Sequence, residues 1–292
     1  MTKEKFSLIK IFFIVILFVA IPLCAYSTVT IYLKDGNTFV APVNANDILS
    51  ISFDSTAKPV TTRMPAAPPI SNGLVVWLDA SDLSNLFQTT DGSTQVSGDG
   101  QSVGLWRDKS GNYNNMVQAK AENRPQLFKS GIANKTTISF ERNQSLSMAT
   151  NFPSPVSVFY VGRMTGGVNG RILQSISNNW LLGYWSNAKN QAHFDGWVSP
   201  PGSPPTDNLP HVFTAIVAGA GHNSEVWPDG NLIATNQGGV TGPNGLAINS
   251  GAYGGETSNC QVAELLLYNR ALSSEERSNV ETYLKEKWNL AK

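Results

Sequence analysis

Five aromatic residues, Trp180, Tyr184, Trp185, Phe194 and Trp197, crowd the stretch from Asn178 to Trp197. Flat aromatic faces stack on sugar rings and short polar side chains bond sugar hydroxyls. The stretch therefore offers a glycan platform whose candidate members are Trp180, Tyr184, Trp185, Asp195 and Trp197. Core packing is the alternative use of the same side chains. Within the set, Trp185 and Trp197 stand beside the turn formers Ser186-Asn187 and Asp195-Gly196, which favours solvent contact for these two.

Acid–base chemistry finds less support. Glycoside hydrolysis needs two carboxylates about 5 to 9.5 Å apart, and Glu264 lies in an apolar run with no acid two residues to either side. A satisfied Glu264, bonded to an arginine or to loop amides, is expected. His193, His211 and His222 lack metal-ligand spacing, and the sequence has neither a Gly-x-Ser-x-Gly elbow nor a phosphate-cradling glycine pattern. Cys260 has no histidine near it in sequence and reads as a small buried hydrophobe. No residue is assigned a catalytic role.

Strands must carry these residues. Only 14% of the 292 residues are charged, while 25 Gly and 16 Pro punctuate a chain that is 41% apolar, a composition that suits many short strands joined by tight turns. Apolar or alternating runs recur at 74–78, 137–140, 156–161, 171–175, 212–217, 225–227, 232–235 and 262–268. Such spacing predicts an all-β sandwich. One helix is expected at about 274–288, because Ser273 and Glu276 form a capping-box pattern and Val280, Tyr283, Leu284 and Trp288 share a face. Lys plus Arg equals Asp plus Glu at 21, and no basic stripe interleaves with aromatics, so nucleic acid is excluded as a partner.

Four phrases in order carry a family resemblance: Val76-Trp77-Leu78-Asp79-Ala80-Ser81-Asp82, Trp106-Arg107-Asp108-Lys109-Ser110-Gly111-Asn112, Asn179-Trp180-Leu181-Leu182-Gly183-Tyr184-Trp185, and Ala263 to Ser273. Over residues 73–290 the chain resembles the laminin-G-like domains of bacterial secreted proteins. The resemblance implies a concanavalin-A-like jelly roll of two antiparallel sheets with a C-terminal helix, commonly used to recognise glycans or extracellular partners. Some laminin-G relatives hold calcium, which prefers several loop oxygens, and Asp79, Asp82 and Asp108 are the candidate ligands here. Turn capping is their alternative use.

The N-terminus points to export. Lys3, Lys5 and Lys10 precede an apolar run from Ile11 to Leu23, with Ala25 and Ser27 following, which reads as a signal peptide over residues 1–27. The run is short for a membrane span and contains Pro22. Lipidation at Cys24 stays open, since Ile21-Pro22-Leu23-Cys24 resembles a lipobox, and such an anchor or the signal peptide would be the chain's membrane contact. Residues 28–56 read as a small β module: Val29, Ile31 and Leu33 alternate, Asp35-Gly36 turns, and Ile51 and Phe53 alternate again. It resembles a module that follows the signal peptide in surface proteins of Gram-negative bacteria. Pro59, Pro65, Pro68 and Pro69 mark a linker over 57–70, and the sandwich domain fills 71–292. The expected function is an exported binding or adhesion module for glycans or extracellular partners. The alternatives are a structural cell-surface domain and a glycoside hydrolase of the same fold.

Overall fold

The computed structural model describes residues 27–32, 38–43, 67–253 and 255–290. The chain divides into two compact units, Met1–Thr62 and Arg63–Lys292. In the first, β1 (Ser27–Tyr32) and β2 (Thr38–Val43) pair antiparallel, with Ser27 opposite Val43 and Tyr32 opposite Thr38. The expected signal peptide with Cys24, the Asp35-Gly36 turn, the Ile51 and Phe53 strand and the first part of the linker lie outside the described residues.

The second unit is a sandwich of two antiparallel sheets. One sheet runs β16 (Ala234–Asn236), β15 (Ser224–Pro228), β14 (His211–Val217), β10 (Val156–Asn169), β18 (Ser258–Tyr268), β8 (Thr137–Phe140) and β7 (Gln126–Phe128). β3 (Leu74–Asp79) lies alongside the second half of β18, continuing the edge that β8 occupies along the first half. The other sheet runs β13 (Ala188–Phe194), β12 (Trp180–Trp185), β11 (Leu173–Gln174), β17 (Asn244–Ile248), β9 (Leu146–Asn151), β6 (Met116–Val117), β5 (Leu105–Trp106) and β4 (Leu86–Phe87).

The long strands β10 and β18 explain the continuous apolar runs in the sequence. Val158 and Tyr160 of β10 and Leu265 and Leu267 of β18 point between the sheets, while Phe159, Val161, Leu266 and Tyr268 point to the opposite face and are equally buried. A strand buried on both faces loses polar alternation. What covers the second face is α1 (Ser274–Lys287), whose Val280, Tyr283 and Leu284 pack there together with Trp288. Ser273 accepts the Glu276 amide and Glu276 bonds back to the Ser273 amide, so the capping box fixes where the helix starts.

A bulge interrupts this sheet. Val161 pairs with Glu264 but Gly162 pairs with Val262, leaving Ala263 as the extra residue. The extra residue turns Ala263 and Glu264 alike away from the inter-sheet core, where Val262 and Leu265 remain. That shift delivers a carboxylate to the helix-covered face.

Candidate ligand-binding site

Period two along β12 sorts the aromatics. Trp180 and Tyr184 point between the sheets and are fully buried, Trp180 stacked on Phe194 at 5.1 Å and 22° and Tyr184 edge-on to Phe213 at 5.0 Å. Neither presents a face to a ligand, which corrects their expected place in the platform: the strand's own alternation commits them to the core. Trp185 and Trp197 are half-buried and lie edge to face, 5.1 Å between centroids. His193 stands edge-on to Trp197 at 5.0 Å. Asp195 is exposed, but its carboxylate accepts the Asn179 amide and the Asn178 Nδ2, each at 3.0 Å, and so holds the turn at the tip of this patch.

Around the two tryptophans runs a circuit of polar groups. Trp185 Nε1 donates to Glu256 Oε1 at 3.1 Å, Glu256 pairs with the Arg171 Nε, and Arg171 Nη1 donates to Asn179 Oδ1 at 3.0 Å. The Asn179 carbonyl lies 2.7 Å from His193 Nδ1. A carbonyl only accepts, so this contact places the proton on Nδ1 and leaves Nε2 of the neutral ring as an acceptor. Tyr253, 44% exposed, lies under the Arg171 guanidinium at 4.6 Å. The arrangement joins exposed aromatic surface to a carboxylate acceptor, an imidazole acceptor and a guanidinium donor. Such a set offers ring faces for stacking and polar atoms for bonding hydroxyls.

Arg171, Asn179, Tyr253 and Glu256 carry no local signal as site residues. They meet because Arg171 N donates to Glu256 O at 2.7 Å and Gly170 N to Thr257 O at 3.0 Å, contacts that span more than 80 positions. His193 could have been singled out, since alternation along β13 from the inward Ala192 and Phe194 turns it outward.

Glu264 is fully buried beneath α1, as is Asp79, its cross-strand partner on β3. The sequence puts no acid beside Glu264, but the sheet does. Instead of an arginine, Glu264 receives Trp77 Nε1 at 2.9 Å, Tyr283 Oη at 2.8 Å, Trp288 Nε1 at 2.7 Å and Lys287 Nζ at 2.8 Å. Lys287 also reaches Asp79 Oδ2 at 2.8 Å. Burial, reinforced by Asp79, lifts the Glu264 pKa above the usual carboxylate value against the pull of Lys287. Burial pushes Asp79 upward too, yet Lys287 and Lys109 outweigh it and hold its pKa low. Two adjacent carboxylates thus lie closed off from solvent by a helix and bridged by an ammonium.

The three aspartates of the calcium expectation are engaged by protein donors. Lys109 Nζ stands 3.3 Å from Asp79 Oδ2 and 2.7 Å from Asp82 Oδ2, so an ammonium sits between them. Asp82 also caps the turn at Leu83–Asn85 through the Ser84 amide. Asp108 accepts the amides of Trp77, Ser110 and Asn114 at 2.8 to 3.0 Å. Among the described residues no group of three His, Cys, Asp or Glu side chains is arranged to hold a metal ion. His211 lies between Asp207 and Asp229, His222 is exposed, and Cys260 is a buried free thiol whose pKa burial pushes far up.

No protein-family model matches the chain, and no curated protein does. Among solved structures it is similar to a Trypanosoma rangeli sialidase in complex with sialic acid, at 15% identity and a TM-score of 0.45, covering 76% of this chain and 34% of the sialidase. The binding domain of Paraclostridial Mosquitocidal Protein 1 matches at 14% identity and a TM-score of 0.47, over 74% of this chain and 52% of that one. Domain 4 of an extracellular arabinanase from Geobacillus stearothermophilus, in complex with arabinotriose, matches at 12% identity and a TM-score of 0.49. That match covers 72% of this chain and 97% of the arabinanase domain.

Proposed function

We propose that the chain is an exported, non-catalytic glycan-recognition module of the laminin-G-like kind. The observation that carries this is the half-exposed Trp185 and Trp197 pair, ringed by Glu256, Arg171, Asn179 and His193. Aromatic faces supply stacking, and the circuit supplies oriented acceptors and donors for hydroxyls at little ordering cost, because its members already hold one another. The four sequence phrases support the family, and the Lys-rich start followed by an apolar run supports export.

The sealing of Asp79 and Glu264 beneath α1 supports a binding role over hydrolysis. The test is a screen of the full chain against neutral oligosaccharides, repeated with Trp185→Ala and Trp197→Ala. Each variant is expected to lose about tenfold or more in affinity, which corresponds to about 1.4 kcal/mol. Its melting temperature should stay near that of the parent. Retained binding in both variants moves the site elsewhere, and sugar release from a polysaccharide would overturn the non-catalytic assignment.

A further inference from the structure

A polar groove lies on the loops around β9. A groove of about 290 Å³ is lined by Asn123, Arg142, Asn143, Ser145, Asn249 and Ser250, so that every wall is an amide, a hydroxyl or a guanidinium. Its floor is prearranged. Asn249 is fully buried with φ of 65°, a left-handed conformation that asparagine tolerates better than most residues. Its Nδ2 donates to the Glu141 and Gln144 carbonyls, each at 2.9 Å, and its Oδ1 accepts the Ser258 amide. One side chain thus ties the 141–145 loop to the segment that ends at Ser258. Ser145 is fixed as well, its amide on Asn123 O at 3.0 Å and its hydroxyl receiving Gln118 Nε2 at 2.8 Å.

The mouth is the opposite. Arg142 and Asn143 are exposed, and among the described residues no side chain pairs with the Arg142 guanidinium or the Asn143 amide. No carboxylate lines the groove. A free planar guanidinium presents forked donors that match a carboxylate in a way that water or a neutral hydroxyl does not. Amides and hydroxyls beside it complement a ring rich in hydroxyls. A rigid floor with unengaged donors at the rim is the form of a built polar pocket.

We propose that this groove binds an acidic saccharide unit, its carboxylate on Arg142 and its hydroxyls on Asn143, Asn123 and Ser250. The site is separate from the Trp185 and Trp197 patch and does not rest on it. No aromatic side chain lines it, so it has no stacking surface and depends on charge and hydrogen bonds. Affinity there should accordingly fall with ionic strength.

The experiment titrates the full chain with tetragalacturonate and, separately, with the neutral galactotetraose, following side-chain amide resonances by NMR. Tetragalacturonate is expected to shift the Asn123 and Asn143 amides, and Arg142→Gln is expected to weaken it by about tenfold or more. The same substitution should leave any binding of galactotetraose unchanged. Trp185→Ala should leave tetragalacturonate binding at the groove intact, so failure of the aromatic patch and failure of the groove are read in different arms. Wild-type affinity for tetragalacturonate in Arg142→Gln, or no amide shift in the parent chain, overturns the proposal.

Discussion

Lys287 Nζ stands 2.8 Å from both Asp79 Oδ2 and Glu264 Oε2, and all three side chains are buried. Two carboxylates in one apolar pocket repel, so the ammonium between them is what makes their burial tolerable. Removing it leaves Glu264 with neutral donors alone and Asp79 with Lys109 at 3.3 Å as its remaining cation. Lys287→Met is therefore expected to cost about 3 to 5 kcal/mol in denaturant melts, the range seen when one partner of a buried pair is lost. Glu264→Gln should cost less, because Lys287 keeps Asp79 and the amide oxygen still accepts from one of the two pairs of donors. The reverse order of losses would contradict this account of the pocket. His211 makes the second residue-scale case: its Nδ1 lies 2.6 Å from Asp229 and its Nε2 2.9 Å from Asp207. Burial lowers its pKa, but the two carboxylates prevail and raise it above the usual histidine value. A raised value means that the interaction contributes fully below about pH 6.5 and fades as pH rises through the shifted pKa. Lys189 also pairs with Asp207, and Lys285 Nζ donates to the Asp229 carbonyl. Melting temperature followed from about pH 6 to 9 should decline in the parent and flatten in His211→Gln; parallel curves would remove the imidazolium from the explanation.

Trp197 is placed by the crossing of two turns rather than by a strand. Gly196 and Gly238 touch there: a Cβ on Gly196 would lie 1.8 Å from Gly238 O, and one on Gly238 would lie 2.1 Å from Trp197 O. Both clashes are with backbone, which cannot yield without moving the turn. Gly196→Ala is thus expected to displace the Trp197 ring and weaken neutral-glycan binding about as much as Trp197→Ala does, while also lowering the melting temperature. Unchanged binding in Gly196→Ala would show that Trp197 is not part of the contact surface. The helix α1 was legible because its signals are local: Ser273, Glu276 and the spacing of Val280, Tyr283, Leu284 and Trp288 specify its start and its buried face. The strands β10, β14 and β18 were legible as apolar runs for the same reason. Trp180 and Tyr184 were misplaced because β12 is buried at five of its six residues, so its sequence lacks the polar alternation that would tell one face from the other. Arg171 and Glu256 escaped notice altogether, since their pairing exists only once the segment before β11 and the segment before β18 lie side by side.

With Lys plus Arg balanced against Asp plus Glu at 21 each, the molecule has no net field to draw a charged ligand from a distance. Its aromatic patch is neutralised locally as well, because the Arg171 guanidinium is already paired with Glu256. In the proposed function, capture there would rely on contact forces: stacking on Trp185 and Trp197 and hydrogen bonds from a preformed circuit. Contact forces between uncharged partners are nearly blind to dissolved ions, whereas an exposed ion pair is screened over a distance of about 10 Å at 0.1 M salt. The two proposed sites should therefore separate by salt alone. Affinity for a neutral oligosaccharide is expected to change by less than about twofold between roughly 0.05 and 0.5 M sodium chloride, while affinity for tetragalacturonate falls several-fold over the same range. Calorimetric titration at three salt concentrations measures both. A steep salt dependence for the neutral sugar would mean that a charged group, not the tryptophan pair, carries its binding, and would direct the search for contact residues to Arg171 and Glu256 instead.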